Sequence, residues 1–246
     1  MLAPQTNLSL FLLLLVALLA GLARGFSGFG AALIFVPLAS AVVGPKVAAP
    51  VLVVIDLIFA APLIPKALRR ATHPSIFIML AGAVVTVPIG AWLLTTADPI
   101  VLRWMIAGLT ALMLALLISG WRYGGEMKPP VTLAVGALSG LFSGIAQIGG
   151  PPVVAYWLGG KQAANVTRAN IIMFFAGSGL IALVTYFAGG LIARNVLMWS
   201  ALTGPAYGLG LFFGSRLFGF ASERTFRRAC FALIAIAVVI SLPVWG

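Results

Sequence analysis

Eight long apolar stretches, at about residues 8–42, 47–65, 75–95, 100–121, 131–158, 166–188, 195–215 and 229–245, follow one another through short polar or Pro/Gly-rich joins. Six of them have the length of one transmembrane helix, about 20 residues. The composition agrees: 62% of residues are hydrophobic and 8% charged, against about a quarter charged in soluble chains. A soluble globular protein is excluded, and the expected class is an all-α, multi-pass integral protein of the cell (inner) membrane. Residues 7–23 lack the basic start of a signal peptide and are read as membrane structure. One cysteine, Cys230, rules out a disulfide framework, and one histidine, His73, leaves most histidine chemistry without its parts.

The first and fifth stretches do not fit one crossing. As a single helix the first would be about 52 Å long, beyond a hydrocarbon core of about 30 Å. Its interior reads GLARGFSGFGAALIFVPL, and the fifth reads GALSGLFSGIAQIGGPPVV, both rich in helix breakers. Phe26-Ser27-Gly28 recurs as Phe142-Ser143-Gly144 at an offset of 116, and Gly90 aligns with Gly214 at 124, ahead of helices holding Arg103 and Arg227. The chain therefore divides into two halves, 1–125 and 126–246, each a broken element followed by three helices.

Charge orients the halves. With Arg24, inside the first broken element, left aside, eight single crossings would divide the bases 6 to 8, whereas two broken elements that enter and leave on one side divide them 11 to 3, with only Lys46, Arg103 and Arg194 outside. The positive-inside rule selects the second arrangement. It predicts inverted repeats with six full crossings, two re-entrant hairpins and both termini outside. Half of the 28-residue fifth stretch, about 21 Å of helix, is too short to span.

Broken backbone at membrane depth is tolerated only where protein or a water-filled cavity satisfies it, and paired breaks in two halves point to a substrate site between them. Half-helices starting near Gly30 and Pro151 would aim unpaired N–H groups inward, as an anion site requires. Gly28, Gly30, Gly144, Gly149 and Gly150 would permit close approach, and Ser27, Ser143 and Gln147 would add donors. The alternative is that the glycines serve helix packing.

Arg24, inside the first broken element, either serves the site or snorkels to an interface. Asp56, the one acid inside an apolar span, either exchanges protons during transport or pairs with a base such as Arg24 or Arg168. Arg168 and Asn170 open the sixth stretch, where a cation draws an anion inward or anchors the helix. His73 reads as a loop residue. The run Glu223, Arg224, Arg227 and Arg228 would meet anionic lipid, and Trp92, Trp104, Trp121 and Trp199 lie where an interfacial belt would place them.

The paired segments GFSGFGAALIFVPL and GLFSGIAQIGGPPVV, in a two-half chain of this length, resemble the sulfite exporter TauE/SafE family. Ala31 and Ala32 stand where many members continue a glycine run. The resemblance implies transport, often export, of small sulfur-containing anions such as sulfite, sulfoacetate or other organosulfonates.

A secondary transporter of small anions is thus the leading expectation, with an anion channel or a carrier of another small solute as the alternative. GFSG also resembles the nucleophile motif of intramembrane serine proteases, but His73 is poorly sited as the base. No Walker-type loop occurs, so protons or the membrane potential would drive transport. No catalytic residue, metal or other cofactor is expected, and the expected partners are the anion, protons and membrane lipid, not nucleic acid.

Overall fold

The computed structural model describes residues 4–160, 162–217 and 223–245, and every regular element among them is helical. The first stretch breaks into α1 (Pro4–Ser27) and α2 (Ala31–Val43). Gly28 and Gly30, at φ +81° and +94°, make the break, since a side chain at either would strain the backbone. Pro45 opens α3 (Pro45–Ala60), which passes through a 3-10 turn holding Pro62 into the short α4 (Ile64–Leu68). Next come α5 (His73–Thr96) and α6 (Pro99–Ser119), the latter capped by Asp98, whose carboxylate accepts from the N–H of Ile100 at 2.8 Å.

The fifth stretch breaks in turn into α7 (Pro129–Ala146) and α8 (Gly150–Leu158). α9 (Ala164–Ala188), α10 (Arg194–Leu217) and α11 (Glu223–Ser241) complete the chain. The outer surface is apolar, with Phe77, Val85, Phe187 and Trp92 all exposed, as lipid contact demands.

Seven helical segments among the described residues are long and apolar enough to cross a membrane, where the sequence predicted six crossings. α1 and α7, expected as arms of re-entrant hairpins, both count, whereas the last stretch contributes only the shorter Arg228–Ser241. The α7 arm ends at the second break. It falls after 18 helical residues rather than midway, which gives α7 about 27 Å, so the expectation of a piece too short to span is corrected.

Two seams of backbone contact hold the bundle. α1 lies along α10: a Cβ on Gly21 would fall 2.1 Å from the carbonyl oxygen of Tyr207, and one on Gly25 2.1 Å from that of Leu211. α7 lies along α5 in the same way, with Gly140 over Ala83 and Gly144 2.2 Å from the Val87 carbonyl oxygen. In both seams residue numbers rise together, so the paired helices run parallel. Small residues allow this approach, as they do between membrane helices.

The seams also show how the repeated tripeptide misleads. Gly28 lies in the first break, but Gly144 lies inside α7, a turn before the second break, and packs as Gly25 does. By position in the fold Gly25 corresponds to Gly144 and Gly28 to Gln147, an offset of 119 rather than 116. Gln147 has φ +60° and is the sole non-glycine at positive φ among the described residues.

α8 folds back on α7. The Tyr156 and Thr132 hydroxyls lie 2.5 Å apart, and the N–H of Tyr123, just before α7, donates to the Ala155 carbonyl at 3.0 Å. At the opposite end of the bundle, Lys46 Nζ at the start of α3 donates to the Thr95 carbonyl near the end of α5 at 2.7 Å.

Candidate functional site

Two guanidinium groups converge on the C-terminal end of α1. Arg24 Nη1 donates to the Gly28 carbonyl, and Arg168 Nη2, from α9, donates to the Gly25 carbonyl at 2.7 Å. Carbonyls at a helix end lack intrahelical partners and carry the negative end of the dipole, so cations belong there. Ser27 Oγ makes 2.7 Å bonds to the carbonyls of Ala23 and Phe29 and holds the turn that leaves the helix.

Arg24 is also engaged sideways. Its Nε and Nη2 donate to the two carboxylate oxygens of Asp56 at 2.9 and 3.0 Å, and Tyr207, from α10, donates its hydroxyl to Asp56 Oδ1 at 2.5 Å. The guanidinium lies 5.3 Å from the centre of the Phe175 ring. Asp56 therefore has the base partner anticipated for it, Arg24 rather than Arg168, and Arg24 is buried in the bundle rather than reaching for an interface.

The second break is neutral. Gln147 Nε2 donates to the Ser143 carbonyl at 2.6 Å, Tyr186 donates its hydroxyl to the Gly144 carbonyl at 2.8 Å, and Ser139 Oγ donates to the Gly149 carbonyl at 2.7 Å. These bonds close the end of α7 without a charge. The two half-helices that follow differ in what they offer an anion. α2 starts Ala31-Ala32-Leu33 behind an N-cap, Gly30, that makes no side-chain cap, so three N–H groups lack an intrahelical acceptor. α8 starts Gly150-Pro151-Pro152, and proline has no N–H. Only Gly150 donates in its first three positions, so the equal pair of helix ends expected from sequence becomes one rich end and one poor end.

Both breaks face one cavity of about 50 Å³, walled by Arg24, Asp56, Gly30, Gln147 and Gly150, with Phe175 among its apolar walls. A site of this size holds a few waters or a small anion, since a single water needs about 10–15 Å³. The two breaks meet there: a Cβ on Gly150 would lie 3.5 Å from the Phe29 ring.

The other anticipated residues lie elsewhere. Ser27 and Arg168 face a neighbouring cavity of about 220 Å³ that shares Phe29 and Gly30 with the first. Gly28 packs on the Arg168 stem. Gly144 is buried in the α5 seam, whereas Ser143 is buried with its hydroxyl beside Gly149, which also sits beneath Ser139. Asn170 is buried with both ends of its amide used: Oδ1 accepts from the N–H of Thr72 at 2.7 Å and Nδ2 donates to Gln162 at 3.0 Å. Its visible work is to tie the turn between α4 and α5 to α9.

The sequence reading missed Tyr207, Tyr186 and Phe175, because a tyrosine or phenylalanine in an apolar helix looks like any core residue until its neighbours are known. Ala31 and Ala32 were noted only as a departure, although their N–H groups are the better donors. No hydrogen bond among the described residues joins His73 to Ser27 or Ser143, so the protease reading lacks its nucleophile–base contact.

The family pattern described as Sulfite exporter TauE/SafE matches residues 13–242. No curated protein and no solved structure matches the chain significantly. With nearly the whole length covered and seven crossing-length apolar segments, the chain is a multi-pass membrane protein and belongs to the sulfite exporter TauE/SafE family of transporters.

Proposed function

We propose that this protein is a secondary transporter that exports small sulfur-containing anions, such as sulfite, sulfoacetate or another organosulfonate, holding the anion between its two helix breaks. One observation carries the reading. Both breaks wall the same cavity, and that cavity also contains an arginine, its carboxylate partner and the uncapped start of α2. An anion entering it meets fixed N–H dipoles that need no reorganisation.

Asp56 is the coupling group in this reading. It shares Arg24 with the cavity, and its side chain is 22% exposed against 5% for Arg24. A proton on Asp56 weakens its hold on the guanidinium and leaves Arg24 to the anion. Loss of that proton restores the pair and expels the anion. Proton and anion thus move together without a second charged site, so export runs on the anion's own outward gradient and the inside-negative potential, and an inward proton gradient drives the anion inward.

The alternating access this requires suits two inverted repeats, 1–125 and 126–246, with α1–α2 and α7–α8 each entering and leaving on one side. The parallel glycine seams, which exchange the first element of each half with the third of the other, support that division. So does the return of α8 along α7. The 11 to 3 split of basic residues supports a cytoplasmic side for the loops around α4, α7 and α9.

The test is uptake into proteoliposomes of sulfite, sulfoacetate, thiosulfate and sulfate, with and without an imposed proton gradient. Gradient-dependent accumulation of a sulfur oxyanion is expected. Downhill flux indifferent to the gradient would favour a channel, and no flux of any of the four would reject the reading.

A further inference from the structure

We infer that the basic end of the bundle carries an anion antechamber, a second site for a small oxyanion that feeds the cavity between the breaks. It deepens the transport reading above and rests on it for the identity of the anion. A third cavity, of about 400 Å³, lies between α4, the first turns of α9 and the end of α10. Lys66, Arg70 and Arg168 line it together with Asn165 and Ser215, and among the described residues no acidic side chain does.

The chain builds this pocket deliberately from distant parts. Pro62 and Pro65 interrupt the end of α3 with a 3-10 turn and the short α4, which lies on α9. The contact is close because Ala67 meets Ala169 and Ile172. The Thr72, Asn170 and Gln162 bonds then pin the turn after α4 to α9, which holds Lys66 and Arg70 opposite Arg168.

Arg168 makes the pocket more than a charged surface. Its side chain walls the antechamber on one side and the 220 Å³ cavity on the other, and that second cavity shares Phe29 and Gly30 with the cavity between the breaks. The three cavities are thus joined by shared walls from Lys66 and Arg70 through Arg168 to Arg24 and Asp56. A cleft lined by one sign of charge between low-dielectric walls raises the local concentration of the opposite ion. Lys66 and Arg70 are exposed, so an anion there keeps much of its water and is released readily onward. Arg168, half-buried and fixed to the Gly25 carbonyl, is the step at which water is left behind.

An oxyanion in the antechamber could equally be a lipid headgroup, and the test separates the two. Asn165→Cys, in a Cys230→Ser background, places a thiol in the pocket wall. The protein is reconstituted in phosphatidylcholine, with or without phosphatidylglycerol. Its reaction with an anionic methanethiosulfonate, the sulfonatoethyl reagent, is compared with that of the cationic trimethylammonium reagent. The anionic reagent should react about tenfold faster. Sulfate should slow it, Lys66→Gln with Arg70→Gln should abolish the preference, and phosphatidylglycerol should leave it unchanged. No preference, or one that survives the double substitution, overturns the antechamber, and so does a preference that phosphatidylglycerol removes, because a lipid headgroup then fills the pocket. The labelling needs no transport, so a protein that moves none of the four anions yet shows the preference loses the transport reading and keeps the site. In the transporting protein the same double substitution should raise KM from that side several-fold with kcat unchanged, and an unchanged KM would overturn the feeding role.

Discussion

Arg24 and Asp56, 32 residues apart, face each other with two parallel hydrogen bonds of 2.9 and 3.0 Å, and the arginine is the deeper of the two. This geometry makes the pair asymmetric. Removing the acid strands a cation in the bundle, whereas removing both strands no charge.

Asp56→Asn should therefore lower thermal stability in detergent by about 3–5 kcal/mol, the cost of breaking a buried pair from one side. Adding Arg24→Gln should recover part of that loss. A double variant no more stable than Asp56→Asn would mean that the pair does not act as a unit.

Folded Asp56→Asn protein should lose its response to an imposed proton gradient more than its binding of sulfite, because Arg24 remains for the anion while the group proposed to carry the proton is gone. Tyr207→Phe, which removes one hydrogen bond to the carboxylate, should weaken the response without abolishing it. An equal gradient dependence in parent and Asp56→Asn would remove Asp56 from coupling.

Two glycines near the second break should behave in opposite ways. A Cβ at Gly144 would fall 2.2 Å from a backbone oxygen of α5, so Gly144→Ala should reduce the yield of folded protein, with an overpacking cost of about 1–3 kcal/mol or more. A Cβ at Gly150 has 3.5 Å to its nearest neighbour and points into the cavity. Gly150→Ala should fold normally and transport poorly, which melting curves and uptake on the same preparations will report.

Ser27→Ala should be mild. Its hydroxyl is occupied by the carbonyls of Ala23 and Phe29, and a neutral hydrogen bond contributes about 0.5–1.5 kcal/mol. Uptake within a few-fold of the parent is expected, and complete loss with normal folding would place the hydroxyl on the anion itself.

Reporter fusions at the two termini should both read outside the cytoplasm. A cytoplasmic reading at either end would contradict the inverted arrangement, which rests on the distribution of bases among the loops.

Class, membrane residence, family and the two sites of helix breakage follow from the sequence, because apolar run length and glycine or proline placement act locally and survive any tertiary arrangement. The starts of α2 and α8 fell within a residue or two of where those signals put them. The register between the halves did not follow, since Phe-Ser-Gly repeats at 116 while backbone packing aligns Gly25 with Gly144. Which glycine touches a carbonyl depends on the partner helix, and α5 and α10 lie more than fifty residues away in the chain. The partner of Asp56 was likewise open between two arginines until α1 was laid beside α3 and α10. Even the donors could have been counted from Ala31-Ala32-Leu33 against Gly150-Pro151-Pro152. What tertiary structure alone decided is which of those N–H groups face one shared cavity, because that depends on two breaks 119 residues apart meeting across the bundle.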